Sequence, residues 1–191
     1  MSTYKRAIKE IIRFKSTFDA LGNSRVARKL VGDIGEYYVL RELEKRGFSP
    51  DPKGGQAGYD IYLPNNDIRI EVRTSLLKNE GLFPKEVQFY GWRVKNRGQK
   101  TDDKFDFLVG IALDNSFKKP KFYIFTHKEA FKVRDVNIGR FRNIQKKIAI
   151  FENAKAMKEA IKAKSKEVTP YEKYINRNQG QFLNKWGKIK A

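Results

Sequence analysis

Two short alternating segments, separated by four turn residues, constrain the fold of this chain more than any other feature. Gly58-Tyr59-Asp60-Ile61-Tyr62-Leu63 and Ile68-Arg69-Ile70-Glu71-Val72-Arg73-Thr74 alternate apolar and polar positions, and Pro64-Asn65-Asn66-Asp67 lies between them. A period of two marks a strand with one buried face, and Pro, Asn and Asp supply turn backbone, so a β-hairpin is predicted over 59–74. With Leu63 opposite Ile68, the same register sets Asp60 directly opposite Glu71 and gathers Ile61, Leu63, Ile68, Ile70 and Val72 on the other face. Like charges facing across adjacent strands, with Cβ atoms about 5 Å apart, repel one another. A divalent cation held by both carboxylates is the usual compensation.

Charge points to the partner. The chain has 191 residues, with 41 Lys and Arg against 22 Asp and Glu, a formal net charge of +19 spread along its length. A field of this sign attracts a polyanion, and nucleic acid is the first candidate. A lysine-heavy solvated surface would account for the lysines, but less readily for the shortage of acids. With 40% apolar and 13% aromatic residues, the chain suits one globular domain, 1–191, with a substantial core. There are no cysteines, so disulfides, Cys-based zinc sites and thiol nucleophiles are excluded. The first twenty or so residues are charged throughout and no apolar run approaches ~18 residues, so no signal peptide or membrane span is expected. The expected location is the cytoplasm, of a prokaryotic cell or of the host of a virus or plasmid.

Elements follow in order. Ile8, Ile11, Ile12 and Phe18 among basic residues predict an amphipathic N-terminal helix over 3–20. Asn23 or Ser24 caps a second helix running to Arg46, with Gly47 as its stop. Phe48 to Gly58 reads as loop with room for a short strand at Phe48, Val87 to Val94 as extended, and Asn96 to Lys104 as a charged loop. Phe105 to Leu113 is nearly continuous in apolar residues, the pattern of a central strand buried on both faces, and Phe122 to Thr126 is a further strand. Ile150, Ala154, Met157 and Ile161 form one stripe of a helix ending near Lys166, within a basic helical C-terminal region, 127–191. Past Pro170, Tyr171, Tyr174, Phe182 and Trp186 alternate with Lys and Arg. Two roles are open to them: stacking on bases while cations meet phosphates, or docking on the body or on a second subunit.

Glu36 lies in the second helix with Val39, Leu40 and Leu43 at its i+3, i+4 and i+7 positions, so it falls on an apolar stripe. A carboxylate there is paired, protonated or bound to metal; the bland reading is a surface-edge Glu bridging to Arg41 or Arg46. Gly35-Glu36 on a helix, Gly58-Tyr59-Asp60 closing a glycine-rich loop and Ile70-Glu71-Val72-Arg73 on the next strand together resemble the PD-(D/E)XK nuclease superfamily. The resemblance covers about residues 24–126 and implies an α/β restriction-endonuclease-like core, a mixed central sheet flanked by helices, with helical extensions at both ends. It implies a Mg²⁺-dependent DNA endonuclease, with Mn²⁺ as a substitute and double-stranded or branched DNA as substrate. Double-strand cleavage would favour a homodimer. The alternative is an inactive nucleic-acid-binding module on the same core.

By that resemblance Asp60, Glu71 and the carbonyl of Val72 hold the metal, and Glu36 is an accessory carboxylate. An all-oxygen set of this kind suits a hard cation. Two positions depart from the family pattern. Tyr59 replaces the proline, and Arg73 replaces the lysine that orients or activates the attacking water. Arg keeps the charge and grips phosphate but does not readily release a proton. Arg73 is therefore an electrostatic clamp, or Lys95 or Lys78 has migrated into the role, or cleavage is lost. Lys53, Lys78, Lys95, Arg97, Lys185 and Trp186 are the candidate nucleic-acid contacts. His127, the single histidine, reads as a cap or surface residue, and Asp102-Asp103 as solvated loop. Lys53-Gly54-Gly55 lacks the pattern of a phosphate-binding loop.

Overall fold

A computed structural model describes residues 6, 9, 10, 24–53, 58–80, 87–94, 105–136, 147–151 and 180–190. The first long element is helix α1, Arg25–Lys45. Ser24 caps it, its hydroxyl accepting from the Ala27 amide at 3.0 Å. At the other end Gly47 takes φ 83°, and the Phe48 amide reaches back to the Leu43 carbonyl at 3.1 Å. This left-handed glycine closure matches the predicted cap and stop. Arg6, Lys9 and Glu10 are helical; the rest of the helix predicted over 3–20 lies outside the described residues.

Among the described residues the central sheet has five strands: β1 (Asp51–Pro52), β2 (Ile61–Leu63), β3 (Ile68–Leu76), β6 (Phe107–Leu113) and β7 (Lys121–Thr126), neighbours in that order. Among the described residues of this sheet, β3 and β6 run parallel and the other pairs are antiparallel. The fold is thus mixed α/β. β4 (Lys78–Glu80), β5 (Val87–Arg93) and β8 (Lys147–Phe151) make a second, antiparallel sheet, and α2 (His127–Val136) follows β7 directly.

Period-two alternation sorts the core into two layers. Ile70 and Val72 of β3, Val109, Ile111 and Leu113 of β6, and Phe122 and Ile124 of β7 face α1. Leu108 and Ala112 of β6, with Tyr123 and Phe125 of β7, face the second sheet and α2. β6 is therefore buried on both faces, as its apolar run predicts. The α1 layer closes tightly: a Cβ on Gly35 would lie 1.8 Å from Thr74 Oγ1. On the other face Trp92 lies against Gly110 and donates its indole N–H to the Ile111 carbonyl at 3.1 Å.

One expectation changes here. Residue Ile150 lies on strand β8, paired with Tyr90, and not on a helix. Ile148 and Ile150 alternate into the second core, so the period there is two. The helical stripe from Ala154 to Ile161 lies outside the described residues, as do Tyr171 and Tyr174. The described C-terminal segment docks on the body: Leu183 bridges Tyr123, the Asn184 amide reaches the Phe122 carbonyl at 2.7 Å, and Phe182, Trp186 and Ile189 are buried.

Candidate metal centre

The hairpin forms in the predicted register, Ile61↔Ile70, Tyr62↔Arg69 and Leu63↔Ile68, but pairing stops at Ile61. Asp60 does not face Glu71 as a strand partner. Its amide donates to the Ile70 carbonyl at 2.9 Å and its Oδ2 accepts from the Val72 amide at 2.7 Å. The chain bends at Gly58, φ 108°, just before this point. A carboxylate takes over the acceptor role of the main chain, so Asp60 brackets Glu71 from both sides.

Glu71 is only 8% exposed, and burying a charge to this degree requires a partner. Arg73, two residues on and on the same strand face, supplies it. Its Nη2 pairs with Glu71 Oε1, while Nη1 donates to the Val72 carbonyl at 3.2 Å and lies 3.9 Å from Asp60 Oδ2. One guanidinium thus draws together Asp60, Glu71 and the Val72 carbonyl. These are hard oxygen donors gathered around a single cationic group, a donor set that fits Mg²⁺.

Glu36 joins electrostatically. Burial, then the negative charges of Asp60 and Asp33, push its pKa up from 4.5 to about 7, against opposing pulls from Lys29 and Arg73. Among the described residues, no group of three or more Asp, Glu or His converges closely enough to hold a metal ion. Asp60, Glu71 and the Val72 carbonyl meet at the Arg73 guanidinium, and Glu36, expected as an accessory carboxylate, is linked to them through the charge of Asp60.

The remaining candidates separate. Lys53 pairs with Asp51 and lies 5.9 Å from the Tyr62 ring. Lys78 opens β4, opposite Phe89, and is half-buried. Lys95 and Arg97 lie outside the described residues. Lys185 is exposed. Trp186 is 5% exposed, packed 5.2 Å from the Phe122 ring with the Arg46 guanidinium 4.8 Å from its own. A ring so covered has no face for a base, so docking, not stacking, describes Trp186. One residue beside the site escaped the sequence reading: Asp106. It takes Arg69 in a fork, Nε at 3.1 Å and Nη2 at 3.2 Å, and accepts the Arg69 amide at 2.8 Å. The fork ties β3 to β6 two residues from Glu71. The signal was an acid at the mouth of the apolar run.

No family model and no curated protein matches this chain. Among solved structures it is similar to a bacterial homing endonuclease, I-Ssp6803I, with a TM-score of 0.45 and 20% identity over 84% of this chain and 89% of that one.

Proposed function

We propose that this chain is a Mg²⁺-dependent DNA endonuclease of the PD-(D/E)XK kind that hydrolyses phosphodiester bonds. The observation that carries the reading is the contact of one guanidinium, Arg73, with Asp60, Glu71 and the Val72 carbonyl together. Those oxygens are the ones expected to hold the cation, and Mn²⁺ would fit the same donors. When bound, such a cation offsets charge on the scissile phosphate and makes water a better nucleophile.

The chain's own residues do the rest. Asp60 is oriented by the Val72 amide and Glu71 is held by burial, so both donors are fixed beforehand. Arg73, freed from the carboxylates, grips a phosphate oxygen pair with its planar fork and does not act as a base. Glu36, its carboxyl pushed up to about 7 by burial and by the charge of Asp60, is the accessory carboxylate beside these donors. The net charge of +19 supports a polyanionic substrate, double-stranded or branched DNA. Cutting both strands of a duplex calls for two such sites, hence a homodimer.

Incubating supercoiled plasmid with Mg²⁺ or Mn²⁺, beside an EDTA control and the Asp60→Asn variant, tests the reading. Metal-dependent nicking or linearisation lost in the variant is expected. A second reading, a non-catalytic DNA-binding module, is favoured by the same ion pairs, since Arg73 neutralises the carboxylates without any metal. DNA binding with no cleavage under either metal would select it.

A further inference from the structure

The turn between β6 and β7 is fixed from inside. Asp114 Oδ1 accepts the Ser116 amide at 3.1 Å and its hydroxyl at 2.8 Å, and the Phe117 amide returns to the Asp114 carbonyl at 3.2 Å. Phe117 has φ 59° and is fully buried in the α1 layer, and the Tyr38 hydroxyl donates to its carbonyl at 2.5 Å. A bulky residue in the left-handed region is uncommon and persists only where the surroundings hold it. Here the buried ring and the Tyr38 bond hold it. The result is a rigid turn whose next residues, Lys118 and Lys119, are both exposed.

The docked C-terminal segment adds to them. Asn184 bonds to Phe122, which brings exposed Lys185 to the end of β7 where exposed Lys121 begins the strand. The one acid in the turn, Asp114, has its carboxylate engaged by Ser116. Three exposed lysines within four residues, with a fourth brought in by the docked segment, concentrate positive charge at this end of β7, which suits an external polyanion.

We propose that Lys118, Lys119, Lys121 and Lys185 form a second phosphate-binding surface, separate from the carboxylate site, that grips the backbone of the same DNA. The strand register places Glu71 beside Leu108 and Leu108 beside Phe125, four residues along β7 from Lys121. Two strand spacings across and four residues along separate the surfaces by about 16 Å, or about five phosphates of one strand at an axial rise of roughly 3.4 Å. The surface rests on the proposed function only for the identity of the polyanion.

The experiment compares two matched double variants of the full chain, Lys118→Ala/Lys119→Ala on the turn and Lys128→Ala/Lys132→Ala on the exposed face of α2. Binding to a 30-base-pair duplex, in EDTA, is measured across a salt series. Each lost phosphate contact lowers the log–log slope by about 0.9, so the turn variant is expected to lose about 2 units and the α2 variant none. Equal losses in the two variants, or no loss in the turn variant, would overturn the proposal. So would loss of binding to anionic lipid vesicles with the DNA slope unchanged. If plasmid is never cleaved yet the turn variant loses slope, the nuclease reading fails and the lysine surface stands. If wild type cleaves and the turn variant keeps its slope, the lysine surface fails and the nuclease reading stands.

Discussion

The Val72 amide donates to Asp60 Oδ2 across 2.7 Å, where a regular hairpin would offer a main-chain carbonyl. Asp60 therefore does two jobs, orienting the strand and presenting negative charge. Asp60→Asn keeps an oxygen for the amide and removes the charge. It should fold normally, bind DNA as tightly as wild type or more so, and lose metal-dependent cleavage by a hundredfold or more, on the order of losing one transition-state stabiliser. Asp60→Ala removes both functions and should in addition lose about 1–3 kcal/mol of stability. Glu71→Gln should resemble Asp60→Asn. Plasmid nicking and urea denaturation distinguish these outcomes, and near wild-type cleavage by either isosteric variant refutes the site.

Arg73 competes with any bound cation for the oxygens of Asp60, Glu71 and Val72. Removing it should tighten Mg²⁺ binding in the absence of DNA while slowing cleavage, because the phosphate grip proposed for it would be lost. We expect Arg73→Ala to bind Mg²⁺ more tightly by calorimetry and to cleave about a hundredfold more slowly, and Arg73→Lys to retain or gain activity. A mild Arg73→Ala with a severe Lys78→Ala or Lys95→Ala would move the role to a lysine. If wild type is silent and Arg73→Lys cleaves, the natural chain is a binding module.

Much of this was legible because the local signals were strong. Ser24 and Gly47 bound α1, and the alternation around Pro64 set the hairpin register, since both depend on chemistry within a few residues. The break at Asp60 was not legible, because a side-chain oxygen displacing a main-chain acceptor leaves no trace in an alternating pattern. Nor was β8 at Lys147–Phe151, which is too short for its period to outweigh the apolar spacing that continues past it. Trp186 was ambiguous for a different reason. Aromatics among lysines look the same whether they meet a base or, as here, Phe122.

Glu36 gives a pH dependence with a definite sign. Its pKa is about 7 in the folded chain against 4.5 ordinarily, raised by burial first and by Asp60 and Asp33 after it. The folded state holds the proton more firmly, so this residue's contribution to stability is greatest near or below pH 4.5 and is lost as pH rises through 7. Glu36→Gln should flatten stability between these limits and exceed wild type above them. Urea midpoints from pH 5 to pH 8 in EDTA measure this, and an unchanged slope in the variant would show that Glu36 is not the titrating group.

Gly35 adjoins Glu36, and its missing side chain lets α1 approach β3. An added Cβ would fall 1.8 Å from Thr74 Oγ1 and 2.9 Å from Ile111 Cδ1. Gly35→Ala should cost about 1–3 kcal/mol through overpacking, despite the better helix propensity of alanine. Thr74→Ala removes the nearest atom and should restore part of that loss in the double variant, although Thr74 Cβ remains at 3.0 Å. Purely additive effects in denaturant titrations would contradict this contact.

The C-terminal segment provides the sharpest separation of stability from binding. Trp186 is buried against Phe122, with the guanidinium of Arg46, the C-cap of α1, set over its ring; Lys188 holds Glu129 at 2.7 Å on α2. The segment therefore fastens α1, β7 and α2 to one another. Trp186→Ala should cost about 3–5 kcal/mol, a fall in Tm of about 6–20 °C for a chain of this size. Below the new midpoint the protein should bind DNA with wild-type affinity and an unchanged salt slope, since the indole offers no face to a base. Deleting 180–190 should unfold the core for the same reason, so it is no test of a binding tail. Trp186→Ala with an unchanged Tm and weakened DNA binding would return the indole to a stacking role.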